Sequence, residues 1–301
     1  MKEYTAFDIG GSFIKYGIVT ENGDLREQDK METPDSFEVL IQRITDIVHR
    51  HPDSTGIAVS APGAVSDEGI IYGISALRYL HGPNIKHRLE EKTGLPVLIE
   101  NDGNCAGAAE IWQGTAQGKK DVLTVVIGTG IGGTVIKEGR THKGANLHGG
   151  EFGFMLLGNP DTGRLESWSQ LAATRALTRY AEREKGVEAD TLTGEQVFEL
   201  ADEGDPVCVK AVDRFYRFLA LGLYNLQYIY DPELILIGGG VSAREELVRC
   251  INEKLDDLLR EAPVGTIRPA LDVCHFRQYA NLLGAVYRFI QNTPASWMNN
   301  M

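Results

Sequence analysis

Asp8 closes an apolar run over residues 5–9, and Gly10, Gly11 and Ser12 follow it at once. A glycine pair at a hairpin tip permits positive φ and lets backbone N–H groups face an anion with no side chain in the way. A carboxylate beside a polyphosphate is repelled unless a cation lies between them, so the duty that suits Asp8 is holding hydrated Mg2+. Lys15, on the next strand, either pairs with phosphate or faces solvent. A second glycine-rich turn, Gly128-Thr129-Gly130-Ile131-Gly132-Gly133, follows another apolar strand, and Ser12 with Thr129 or Thr134 can add hydroxyl donors. Ordinary β-turns are the competing reading of both. The second turn also spells G-x-G-x-x-G, but its glycines lead into a strand rather than a helix, which excludes a dinucleotide fingerprint.

Three further sites carry chemistry. Glu100-Asn101-Asp102-Gly103-Asn104 stands where an apolar strand meets the start of a helix. Asn and Asp are favoured caps, and one of them suffices for that; an aspartate there can also take a proton from a sugar hydroxyl while Asn101 orients the ring. Glu151 sits alone in the loop Gly149-Gly150-Glu151-Phe152-Gly153, either as a bidentate ligand of a sugar diol or as a solvated surface acid. Gly238, Gly239 and Gly240 end a buried strand, where bare backbone lets an adenosine ring or a phosphate approach, and Ser242 with Glu245 has capping-box spacing for a following helix.

The elements that must position these groups alternate between strands and helices, the pattern of an α/β layered fold. Helices are expected over residues 37–49, 104–112, 171–184, 193–202 and 206–230, and strands over 56–60, 97–100, 122–127 and 234–237. A polar, glycine-bearing stretch at residues 113–121 marks the boundary between a small lobe, 1–116, completed by a C-terminal helix over 283–301, and a large lobe, 117–282. Residues 9–17 recur at 131–139 with six of nine positions identical, which reads either as the same hairpin opening each lobe or as chance similarity of two glycine turns. The length of 301 residues accommodates two domains, and the net charge of −12 argues against a nucleic-acid surface. No stretch is apolar enough to span a bilayer, the opening residues read as a strand rather than a leader, and Cys105, Cys208, Cys250 and Cys274 are scattered. Free thiols in a reducing cytoplasm are the expectation.

Taken in order, Asp8-Ile9-Gly10-Gly11-Ser12 with Lys15, Ala61-Pro62-Gly63, Glu100-Asn101-Asp102, residues 127–133, Gly150-Glu151 with Gly153, and residues 237–242 resemble the ROK family of repressors, open reading frames and sugar kinases. The resemblance spans nearly the whole chain. It implies an actin-like (ribonuclease H-like) two-lobed sugar kinase fold and ATP-dependent phosphorylation of a sugar. Asp102 would be the general base. Asp8, Gly10, Gly11 and Ser12 would serve Mg-ATP, with Asp8 reaching Mg2+ through water. Thr129, Gly130, Gly132 and Gly133 would serve the phosphates, and Gly238–Gly240 the adenosine. Gly63, Asn101, Glu151 and Glu166 would bind sugar. The family also implies a homodimer and lobes that close on substrate. A repressor would need a further DNA-binding segment and a basic face, neither of which is read here.

Family members commonly carry a histidine after the Gly-Glu-x-Gly loop and then a cysteine knot that holds zinc. Here Phe154 replaces the histidine, residues 155–166 contain no cysteine, and Arg164 stands at the last cysteine's position. No structural zinc is therefore expected, since the soft ligands are gone. An aromatic face at 154 suits a pyranose or an attached aglycone, and the sequence most resembles the β-glucoside kinase branch, with glucokinase and N-acetylmannosamine kinase as alternatives. Elemental analysis of the purified protein should find far less than one zinc per chain, and a mild chelator should leave its far-UV circular dichroism unchanged.

Overall fold

The computed structural model describes residues 1–73, 75, 77–262, 265–276 and 279–292. Along the chain come β1 (Glu3–Ile9), β2 (Phe13–Thr20), β3 (Leu25–Glu32), α1 (Phe37–His49), β4 (Ser54–Ala61), β5 (Ala64–Val65), β6 (Ile71–Tyr72), α2 (Ile85–Thr93), β7 (Val97–Asn101) and α3 (Asp102–Gln113). They are followed by β8 (Val122–Ile127), β9 (Ile131–Lys137), β10 (Arg140–Thr141), β11 (Leu156–Asn159), β12 (Arg164–Ser167), α4 (Trp168–Ala172), α5 (Thr174–Lys185) and α6 (Gly194–Asp202). The chain continues with α7 (Pro206–Tyr230), β13 (Leu234–Gly238), α8 (Leu247–Glu261), β14 (Leu271–Val273) and α9 (Ala280–Asn292).

Two compact units result. The first takes residues 1–118, 139–149 and those from His275 onward; the second takes 119–138 and 150–274. Relative to the lobes drawn from sequence, residues 117–118, 139–149 and 275–282 join the first unit. The described C-terminal helix runs Ala280–Asn292, and the rest of the span expected for it, 293–301, lies outside the described residues.

In the first unit the sheet order is β3-β2-β1-β4-β7, with β1, β2 and β3 antiparallel and β4 and β7 parallel to β1. Helix α1 buries Leu40, Ile41, Ile44, Ile47 and Val48, the 3.6-residue stripe visible in the sequence. Helix α2 is capped by the Asn84 side chain and stops at Gly94 in the left-handed region. On α9, Leu282, Leu283, Ala285, Val286 and Phe289 share a core with Tyr4, Ala6, Val19, Ala58, Cys105 and Ala109. The second unit repeats the plan as β9-β8-β13-β14, with β9 antiparallel and the others parallel to β8. Its core gathers β8, β13, α4, α5, α6, α7 and α8 around fully buried Trp168, whose indole Nε1 donates to Phe218 O at 2.8 Å.

Three expectations are corrected. The helix read over 171–184 is two, because Ala173 is extended and Thr174 N donates to Gly128 O at 2.9 Å. Ser242 does not cap a long helix: its hydroxyl donates back to Gly239 O at 2.7 Å, a short 3-10 turn over Gly240–Ala243 follows, and α8 begins only at Leu247. The nine-residue repeat is one of letters, not of structure. Gly10 and Gly11 form the β1–β2 turn, whereas Gly132 and Gly133 lie inside β9, opposite Val126 and Val125. The second turn is made by Gly128, Thr129 and Gly130 instead. Gly133 is glycine for packing, since a Cβ there would stand 2.0 Å from Thr124 O.

Helices α3 and α9 cross so closely that a Cβ on Gly284 would fall 1.7 Å from Cys105 O. A backbone carbonyl cannot yield as a flexible side chain can. Gly284→Ala should therefore lower the denaturation free energy by about 1–3 kcal/mol, the usual cost of overpacking. Urea titration followed by circular dichroism checks it, and an unchanged midpoint would mean that α9 is free to shift.

Candidate active site

In the first unit, strand β1 delivers Asp8 to the brink of the Gly10-Gly11-Ser12 turn, and the β1–β2 register sets Lys15 directly opposite it. Asp8 Oδ1 accepts from Ser60 Oγ on β4 and from Asn281 Nδ2 on α9, both at 2.9 Å. The turn is braced by Thr33, whose N donates to Ser12 O and whose hydroxyl donates to Gly10 O at 2.7 Å. Gly10 N is used within the turn, donating to Phe13 O, while Gly11 and Ser12 are exposed.

At the end of β7, the cap of α3 is Asn101: its Oδ1 accepts from Asn104 N at 3.1 Å. Its amide nitrogen donates to Gly63 O and to Asp102 Oδ1, both at 3.0 Å. Asp102, the first helical residue, also accepts from Gly103 N at 2.8 Å through the same oxygen. Asn101 thus orients Asp102 and ties the loop after β4 to it through Gly63, which has a φ of 103°.

Glu100, one residue earlier, is buried. Its Oε1 accepts from Asn101 N and Asn104 Nδ2, and its Oε2 lies 3.3 Å from both Arg288 Nε and Lys143 Nζ. Burial, and then the charges of Glu100, Asp8 and Asp102, push the enclosed Cys105 thiol well above its ordinary range, against a hydrogen bond with Ser60. One small buried group thus feels the field of all three carboxylates.

In the second unit, Gly128, Thr129 and Gly240 line one cavity of about 410 Å3 together with Thr174, Arg175, Asp190, Leu192 and Thr193. Gly239 has a φ of 91°, and a Cβ there would meet Ile127 O at 2.0 Å, so only glycine lets the β13 loop lie against β8. Gly240 has open space where a Cβ would be, whereas Gly238 faces Cys274. Thr134 is fully buried in β9, so of the two threonines named from sequence only Thr129 reaches the cavity.

Glu151 and Phe154 are exposed at either end of a single 3-10 turn, with Phe154 72% accessible. Glu166, on β12, accepts through Oε1 from Asn159 Nδ2 at 2.6 Å and Thr162 Oγ1 at 3.0 Å, closing the β11–β12 hairpin. Among the described residues no cluster of three or more His, Cys, Asp or Glu is arranged to hold a metal ion, and no helix is long and apolar enough to cross a membrane.

Sequence reasoning missed Ser60, Asn281, Lys143, Arg288, Thr174, Arg175 and Asp190. Ser60, next to Ala61-Pro62-Gly63 at a strand end, had a positional signal. The others come from elements remote in the chain and had none.

The ROK family model matches residues 4–292. The β-glucoside kinase of Klebsiella pneumoniae is 38% identical over 290 residues, which cover 95% of each chain. The crystal structure of a ROK family protein from Streptococcus pneumoniae in complex with sucrose is similar, with a TM-score of 0.87 and 36% identity over 95% of this chain and 98% of that one. A ROK family glucokinase from Streptomyces griseus in complex with glucose and AMPPNP has a TM-score of 0.72 and 28% identity over 94% and 97% of the two chains. The architecture is the actin-like sugar kinase fold, built on two α/β units. The chain belongs to the ROK family.

Proposed function

We propose that this chain transfers the γ-phosphoryl group of ATP to the 6-hydroxyl of a β-glucoside such as cellobiose, with Asp102 as general base. In class it is an ATP-dependent carbohydrate kinase. The observation that carries the mechanism is Asp102 itself. One carboxylate oxygen is fixed by Asn101 Nδ2 and Gly103 N, which holds the group in a single orientation at the start of a helix. A base must be held that way to take a proton in the transition state.

The other roles follow from chemistry. ATP enters as substrate with Mg2+, which neutralises charge between its phosphates. Asp8 fits the metal because a hydroxyl and an amide, both neutral, hold one of its oxygens in place. Gly11 and Ser12 serve the phosphates, and the cavity at Thr129 and Gly240 suits the adenosine end. Gly132 and Gly133, inside β9, support that turn rather than cradle phosphate. Asn101, whose donors are engaged with Gly63 and Asp102, serves the sugar by shaping the site. Glu151 meets sugar hydroxyls, and Gly63 and Glu166 shape the loops beside them.

The glucoside preference rests on Phe154, an exposed aromatic where family members commonly keep a polar histidine, and on the likeness to a β-glucoside kinase. Glucokinase is the second reading, favoured by the likeness to the Streptomyces enzyme, with N-acetylmannosamine kinase behind it. A homodimer in the cytoplasm completes the proposal.

Asp102→Asn keeps size and an oxygen to accept from Asn101 and Gly103 but removes the proton acceptor. It should lower kcat by about 10²–10⁴ while leaving ATP binding nearly unchanged, as read by a coupled ADP-release assay and calorimetry. Near-normal turnover would reduce Asp102 to a structural residue.

The same assay run on cellobiose, salicin, glucose and N-acetylmannosamine tests the substrate. Cellobiose or salicin should give kcat/KM at least comparable to glucose, and Phe154→His should shift preference toward free hexose. Turnover of glucose or N-acetylmannosamine with none of any β-glucoside would overturn the open-pocket reading and leave the kinase class standing.

A further inference from the structure

Lys143 lies in the 139–149 segment, has no part in the roles above, and is only 14% exposed. Its ammonium reaches Glu100 Oε2 at 3.3 Å, Asp67 Oδ1 at 3.0 Å and Val65 O at 3.2 Å. Glu100 is 1% exposed, so its charge has no water to solvate it and depends on the groups around it. The oxygen of Glu100 that Lys143 does not touch receives Asn101 N at 2.9 Å and Asn104 Nδ2 at 3.1 Å. Asn104 N in turn donates to Asn101 Oδ1, and Asn101 Nδ2 donates to Asp102 Oδ1. A chain of contacts, first an ion pair and then hydrogen bonds through Asn101 and Asn104, therefore links the Lys143 ammonium to the Asp102 carboxylate.

We propose that Lys143 is a positioning residue for Asp102, acting through the buried Glu100 carboxylate. The inference rests on the general-base reading of Asp102. Arg288 approaches the same Glu100 oxygen from α9. With both cations present the carboxylate is held from two sides, and its second oxygen stays turned toward Asn101 and Asn104. Without Lys143 the pull of Arg288 is unopposed, the carboxylate swings toward it, and Asn101 N–H and the Asn104 amide lose their acceptor. The cap that aims Asp102 then loosens. A shift of that kind matters because misplacing a catalytic group by about 1 Å can cost about 10²-fold in rate.

A second role for Lys143 must be separated from this one. Its carbonyl accepts from Gly149 N at 2.7 Å, closing a small loop, and the chain reaches Glu151 two residues later. If the Lys143 side chain served only to anchor that loop, through Val65 O and Asp67, its loss would act on sugar binding and not on the proton acceptor. The cavity of about 410 Å3 that Lys143 and Glu100 line with Lys86 and Glu90 leaves room for a longer cation, so Lys143→Arg can keep the charge in place.

The test measures steady-state kinetics on the better of glucose and cellobiose for Lys143→Met, Lys143→Arg, Asp102→Asn and the Lys143→Met/Asp102→Asn double variant. Melting by circular dichroism checks that each folds. Lys143→Met should lower kcat by about 10- to 100-fold, with KM for sugar and for Mg-ATP within about threefold of wild type. Lys143→Arg should recover most of that loss. In the Asp102→Asn background the methionine should cost less than about threefold further, because a residue that acts through Asp102 has nothing left to position. Should Lys143→Met fail to fold, Glu100→Gln, which keeps the volume and removes the charge, carries the same expectations. Wild-type kcat in the single variant, a change confined to sugar KM, or the full loss repeated in the Asp102→Asn background would each overturn the proposal. Near-normal turnover of Asp102→Asn would instead overturn the general-base reading, and this inference with it.

Discussion

The buried Glu100 carboxylate is a point at which all three stretches of the first unit meet. That unit is assembled from three separated stretches of chain, and each supplies one member of the ion cluster: Glu100 from the first, Lys143 from the 139–149 segment and Arg288 from the C-terminal helix. A carboxylate taken out of water loses several kcal/mol of solvation, which returns only if every partner is in place. Four groups meet that demand: two cations, a backbone N–H and an amide, with Lys143 shared between Glu100 and the exposed Asp67. The arrangement enforces a geometry more than it adds stability, since a hydrophobic core of the same volume would hold at least as well. The geometry it enforces lies one residue from Asn101 and two from Asp102.

The carboxylates proposed for chemistry are held differently. Neutral donors take part in anchoring both: Ser60 and Asn281 bond one oxygen of Asp8, and Asn101 and Gly103 bond one oxygen of Asp102. Neutral anchors orient a carboxylate without quenching its charge, which suits a metal ligand and a base. The cations are spent one step back, at Glu100. Cys105 lies enclosed beside these acids, and burial first, then their charges, raise its thiol pKa.

Close backbone approaches set the remaining precision. Gly239 and Gly284 each stand where a single added carbon would strike a carbonyl, one locking the β13 loop to β8 and the other locking α9 to α3. The α3–α9 crossing matters to the site because both helices carry its anchors: Asn104 on α3, and Asn281 and Arg288 on α9. The break at Ala173 has a similar use. It frees Thr174 to bond Gly128 O and turns the start of α5 toward the cavity that Gly128 and Gly240 line.

Local pattern by itself determined much of this protein. The 3.6-residue stripe of α1, the run from Pro206 that forms α7, the apolar run of β8 and the polar cluster at the β7–α3 junction are short-range signals, and they marked these elements and pointed to candidate site residues. What lay beyond the sequence shares one physical cause. Register decides which residues of a repeated string reach a turn, and register is fixed by the partner strand; so Gly10-Gly11 form a turn while the matching Gly132-Gly133 lie in a strand. Nor does the sequence show which cap residue spends its hydrogen bonds where: Asn101, expected at the sugar ring, has its donors on Gly63 and Asp102, and Ser242, expected to cap α8, bonds back to Gly239. Lys143, Asn281 and Arg288 read as ordinary polar residues of a loop and a helix. Only tertiary packing carries them more than 40 residues along the chain to Glu100 and Asp8, because a buried charge is satisfied by whatever group the fold brings within about 3 Å, wherever in the sequence that group began.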